Sequence, residues 1–243
     1  MAWPSFLLIY PSLAKLKRHV TTYLRYRSVL FRFLVPRFLA TVLSAVFHPL
    51  LVPSYLFYIV CYQLPGVVLR PLLPDRWLVL GVVLLFTFVL PTLGSGMLLY
   101  AGLIDSLEMP KRRQRAWPLL LATASFGAAA FLLRRPSFFD ALLGHMMLGM
   151  MIAVLLTFVI TLRWKISAHG VGMGGALGLF GLLYVSADPY AGVLWWLVAT
   201  CILAGAVGSA RLALNAHTEA QVWAGLALGV GLVLGLGMGL ALR

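Results

Sequence analysis

Three short polar islands interrupt an otherwise apolar chain: EMPKRRQRAWP at 108–118, RWKISAHG at 163–170 and GSARLALNAHTEAQ at 208–221. Between them they hold Lys111, Arg112, Arg115, Ser167, His169, Arg211 and His217. Lys and Arg neutralise phosphoryl oxygens, and the free amides of a helix N-terminus add donors. A neutral imidazole attacks phosphorus, and a protonated one delivers a proton to the departing alkoxide. The residue types are those of phosphoryl transfer. No acidic pair stands at metal-ligand spacing, so the expected mechanism is metal-independent and uses no cofactor.

The elements that must position these side chains are membrane helices. Of the 243 residues, 62% are hydrophobic and 10% charged, whereas a soluble domain is about half apolar and about a quarter charged. The expected fold is all-α, a multi-pass transmembrane helix bundle of six or seven spans. Apolar runs at 37–64, 77–102, 116–134, 141–162, 169–187, 190–208 and 219–242 each approach the ~20 residues needed to cross. The first contains FHPLLVPSY, where Pro49 and Pro53 kink or break a helix. It is either one bent span or a re-entrant hairpin. Successive islands lie two crossings apart, so all three gather on one face of the membrane.

Residues 1–36 form a separate basic segment. Arg18, Arg25 and Arg32 recur every seven residues, opposite Leu16, Val20 and Leu30. This is the pattern of an amphipathic helix lying in the interface. The membrane-embedded domain then runs from 37 to 243. The net charge of +13 fits basic loops on anionic headgroups together with a phosphate-bearing ligand. No soluble basic module is present, so no nucleic-acid partner is expected. Cys61 and Cys201 sit in apolar runs and read as small hydrophobes. The glycine-rich stretches HGVGMGGALG and GVGLVLGLGMG follow no strand, and predict close helix packing rather than a nucleotide loop.

In order and spacing the islands resemble the three signatures of the type 2 phosphatidic acid phosphatase (PAP2) superfamily of membrane lipid phosphatases. Those signatures run Lys-x6-Arg-Pro, then Pro-Ser-Gly-His, then Ser-Arg-x5-His-x3-Asp. Residues 100–221 carry KRRQRAWP, ISAH and ARLALNAH in the same order. The resemblance implies that His217 forms a phosphohistidine and that His169 protonates the leaving group. It implies phosphate binding by Lys111, Arg112, Arg115, Ser167, Ala168 and Arg211. Trp117 stands where the arginine before proline belongs, and Ile166 and Ala168 replace the proline and glycine. Gln221 stands in place of the acid that orients the nucleophile. A glutamine carbonyl can accept the imidazole Nδ1–H but brings no charge. The implied activity is hydrolysis of a lipid phosphomonoester or pyrophosphate in a bacterial cytoplasmic membrane. Lipid phosphate and membrane lipids are the implied partners, and the oligomeric state is left open.

Two other classes remain: a lipid-phosphate binder or transporter without turnover, and a transferase that hands the phosphoryl group to an acceptor alcohol. Thr218 and Gln221 also fit a capping box, a role that competes with orienting His217. His19, His48 and His145 read as packed residues, and Asn215 and Glu219 as surface or capping groups. If 37–64 crosses once, fourteen Lys and Arg share the face of the site against five on the other, which points to the cytoplasm. A re-entrant hairpin would place the site on the face opposite the N-terminus.

Overall fold

Pro49 and Pro53 decide how the first apolar run folds. In the computed structural model, which describes residues 36–241 except 108, 110, 136 and 187–190, the run is two helices rather than one. α1 (Arg37–Val46) ends in a turn through residues 47–51, and α2 (Val52–Tyr58) widens into a π-turn at Ile59–Gln63. Pro53 lies in the first turn of α2, where a missing N–H breaks no helical bond. α3 (Arg76–Leu84), a π-turn (Leu85–Val89) and α4 (Leu90–Tyr100) then form one rod. Five long helices follow: α5 (Ala116–Leu133), α6 (Ala141–Thr161), α7 (Ala168–Ser186), α8 (Ala191–Ala213) and α9 (Glu219–Ala241). Among the described residues there is no strand, and six helical stretches are long and apolar enough to cross a membrane. The protein is an all-α, multi-pass membrane bundle. The amphipathic helix expected over 1–36 lies, apart from Pro36, outside the described residues.

The first run is a single broken crossing rather than a hairpin. Val52 packs on Gly172, in the second turn of α7, while Leu64 reaches Gly192, in the first turn of α8. Those two helices run antiparallel, so their N-terminal ends mark opposite faces. Residues 52–63 therefore cross from the face of the islands to the far face. At 1.5 Å per residue they cover only about 18 Å, short of the ~30 Å hydrocarbon core. Irregular backbone at such depth must find partners inside the protein. Buried Arg76 supplies them by donating to the carbonyls of Cys61, Val68 and Pro71. α1 stays on the island face, with Ala40 buried against Ala210 and Ala213 at the end of α8.

Exposed tryptophans frame the bundle. Trp117, Trp164 and Trp223 ring the island face, and Trp77 and Trp195 ring the other, as expected of rings at the two membrane interfaces. Trp117 thus faces outward, at the position where the resemblance has an arginine.

The closest helix pair is α7 with α9. A β-carbon on Gly174 would strike the Leu226 carbonyl, and one on Gly229 would strike the Val171 carbonyl. The expectation of close packing through small residues is met. The seam brings the two backbones together at the island face, where Ser167 N–H bonds the Gln221 carbonyl at 3.2 Å.

Candidate active site

The third island is a helix end followed at once by a helix start. α8 runs to Ala213, five residues beyond the expected limit of its apolar run, and carries Arg211 in its last turn. It closes in a Schellman motif: Ala216 N–H bonds Arg211 O at 3.1 Å, and Asn215 N–H bonds Leu212 O at 3.0 Å. Asn215 takes the left-handed conformation this requires, with φ 52°. α9 then opens with a capping box. Gln221 N–H donates to Thr218 Oγ1 at 3.4 Å, and Thr218 N–H donates to Gln221 Oε1 at 3.3 Å. His217, between the two motifs, is held in a fixed position and is nine-tenths buried.

His217 Nδ1 lies 3.0 Å from the same Gln221 Oε1. The backbone N–H of Thr218 needs an acceptor, so the atom it meets is the amide oxygen, and the facing imidazole nitrogen carries the hydrogen. Capping and orienting do not compete here, contrary to the sequence expectation, because one carbonyl with two lone pairs does both. His217 Nε2 keeps its lone pair. Burial first, then the charges of Arg115, Lys165 and Arg211, lower the pKa of His217 to about 4 against the opposing bond from Gln221. At neutral pH the ring is uncharged.

His169 sits in the first turn of α7, behind Ser167. The Ser167 hydroxyl caps that helix by accepting from Gly170 N–H at 3.2 Å and is wholly buried. His169 Nε2 lies 3.0 Å from the Ser44 carbonyl of α1. A carbonyl only accepts, so Nε2 carries the hydrogen and Nδ1 is the nitrogen left for proton transfer. Arg211 lies close enough for its charge to act on the His169 ring.

Arg115, Lys165 and Arg211, one from each island, lie close enough to repel one another. Burial first, then Arg115 and Arg211, lower the pKa of Lys165. Lys111 does not join them. It is exposed and paired with Asp105 at 2.7 Å. Arg112 is also turned away, donating to the Leu162 carbonyl at 2.6 Å and so tying the first island to the end of α6. The expectation that Lys111, Arg112 and Arg115 share one side assumed an α-helix. Lys111 is extended and precedes the 3-10 turn Arg112–Arg115, which removes it from the side of Arg115, whereas Arg112 diverges through its bond to Leu162 and not through the turn's period. Arg115 is anchored by donating from Nε to the Met109 carbonyl at 2.9 Å. Ala168 contributes its place at the helix N-terminus, where the first amides have no intrahelical acceptor.

Two residues were missed by the sequence reading. Lys165 belongs to the second island, and its basic charge two residues before Ser167 was an available signal. His48, expected to be a packed residue, lies with its ring centroid 5.8 Å from that of His169, edge to face. The three imidazoles do not make a metal-ligand group, nor do any three His, Cys, Asp or Glu among the described residues.

An apolar cavity of about 180 Å³ ends beside the cluster, at residues adjacent in sequence to His48 and His169. It begins at Leu50, Thr157 and Ala168, and runs between α2, α5, α6, α7 and α9 to Leu142, His145 and Leu182. From Ala168 to Leu182 the helix rise is about 21 Å. His145, expected to be buried in packing, lines the far end.

No family model, curated protein or solved structure matches the chain.

Proposed function

We propose that this protein is a membrane lipid phosphatase of the PAP2 type, hydrolysing a lipid phosphomonoester or pyrophosphate through a phosphohistidine. The observation that carries the reading is the complementary pair of tautomers. His217 has its lone pair at Nε2, fixed by Gln221, and His169 has its proton-transfer nitrogen at Nδ1, fixed by Ser44. In the first step His217 Nε2 forms a bond to phosphorus as the phosphorus–oxygen bond to the lipid breaks. Protonated His169 gives the Nδ1 proton to the departing oxygen. Neutral His169 then takes a proton from water as that water attacks phosphorus and the phosphorus–nitrogen bond breaks. Arg115, Lys165 and Arg211 hold the phosphoryl oxygens, and their mutual repulsion favours an anion among them. The apolar cavity ending at Ala168 takes the lipid tail.

The cation asymmetry favours the cytoplasmic side. Among the described residues Arg37, Lys111, Arg112, Arg113, Arg115, Arg163, Lys165 and Arg211 flank the site face, against Arg70, Arg76, Arg134 and Arg135 opposite. A binder without turnover is favoured only by the missing charge at Gln221. It would retain lipid phosphate without releasing phosphate.

The test is phosphate release by purified protein in detergent across a panel of lipid phosphates, with chelator present. His217→Ala and His169→Ala should each abolish release, and unchanged release from either would sink the mechanism.

A further inference from the structure

His48 lies outside all three islands, sixty residues before the first of them begins. It stands in the turn that separates α1 from α2. Leu50 N–H donates to His48 Nδ1 at 3.3 Å, so Nδ1 is an acceptor and the ring hydrogen is on Nε2. Nδ1 is occupied by the residue's own turn, and the N–H on the opposite edge of the ring bonds no partner among the described residues. The ring meets His169 at 80°, and the Arg211 charge acts on it. Its neutral form is favoured, because burial and then Arg211 lower its pKa. The same segment supplies Ser44, whose carbonyl holds His169 and whose buried hydroxyl has no partner among the described residues.

We propose that His48 is a direct ligand of the bound phosphoryl group, donating from Nε2–H, so that the broken first crossing is a fourth element of the site. This rests on the reading of the cluster as a phosphate site. A neutral N–H suits the role among three cations, since it adds a donor without adding repulsion.

Two variants separate this role from turn formation. In His48→Asn the side-chain oxygen can accept from Leu50 N–H as asparagine does in turns, while the Nε2–H donor is lost. His48→Phe keeps the ring volume and loses both nitrogens. The affinity of the full chain for inorganic phosphate is measured by calorimetry in detergent. Both variants should bind at least about tenfold more weakly than wild type, with His48→Asn melting near the wild-type temperature. In wild-type protein the 15N–1H signal of His48 Nε2 should move downfield on phosphate addition. Phosphate binding with that signal unmoved and both variants at wild-type affinity overturns the role of His48 alone. Absence of phosphate binding by wild type overturns the phosphate site itself, and this inference with it.

Discussion

The two membrane faces hold buried and half-buried charge in opposite circumstances. On the far face Arg76 places its guanidinium among three carbonyls, and Asp140 accepts from the amides of Leu69 and Arg70. Each charge there completes backbone that the short first crossing leaves without partners. On the site face Arg115, Lys165 and Arg211 repel one another and act together on His217. The first arrangement stabilises the fold. The second costs stability and suits a ligand that brings negative charge. Burial of an arginine therefore does not mark a site, whereas the company it keeps does.

Substituting one arginine from each face should separate the two roles. Arg211→Met should lower phosphate release on the order of 10²–10³-fold, with the melting temperature in detergent unchanged or raised. Arg76→Met should do the reverse, lowering unfolding stability by about 3 kcal/mol while the folded fraction keeps its activity. If both variants lose activity and stability alike, the contrast between the faces is wrong.

Acidity probes the site face alone. Because the pKa of His217 is lowered from 6.5 to about 4, the unfolded chain binds more protons across that interval. Stability should therefore rise with pH from about 4 to about 6.5 and level off above. Gln221→Glu puts a carboxylate at the same reach, keeps the cap and raises the His217 pKa. The pH-dependent interval should narrow, and the acid limb of kcat/KM should move to higher pH, both read from pH profiles. The smallest effect belongs to Lys111→Met. Its pair with Asp105 is exposed, so release should change by less than about twofold.

Much of this was legible in the sequence because it is local or periodic. Apolar length gave the spans, and crossing parity gave the shared face. Asn215, Thr218 and Gln221 spell a helix stop and start within seven residues, and glycines at 170, 174 and 178 spell the α7 seam. What escaped depends on contacts that residue types do not encode. His169 is held by a backbone carbonyl 125 positions away, which any residue at 44 would supply. Lys111 was misplaced because the spacing rule of an α-helix was applied to an extended residue ahead of a 3-10 turn. The dual use of Gln221 was missed for a similar reason, since counting side chains overlooks the second lone pair on one oxygen.

The glycine seam has a mechanical consequence. With the α7 and α9 backbones in contact, and Ser167 bonded to Gln221 across their ends, His169 and His217 ride on a single rigid jaw. Admitting a wide headgroup cannot pry that jaw apart. On the proposed function, the wall opposite the jaw is the thin one: the five-residue turn at 47–51, which contains Pro49.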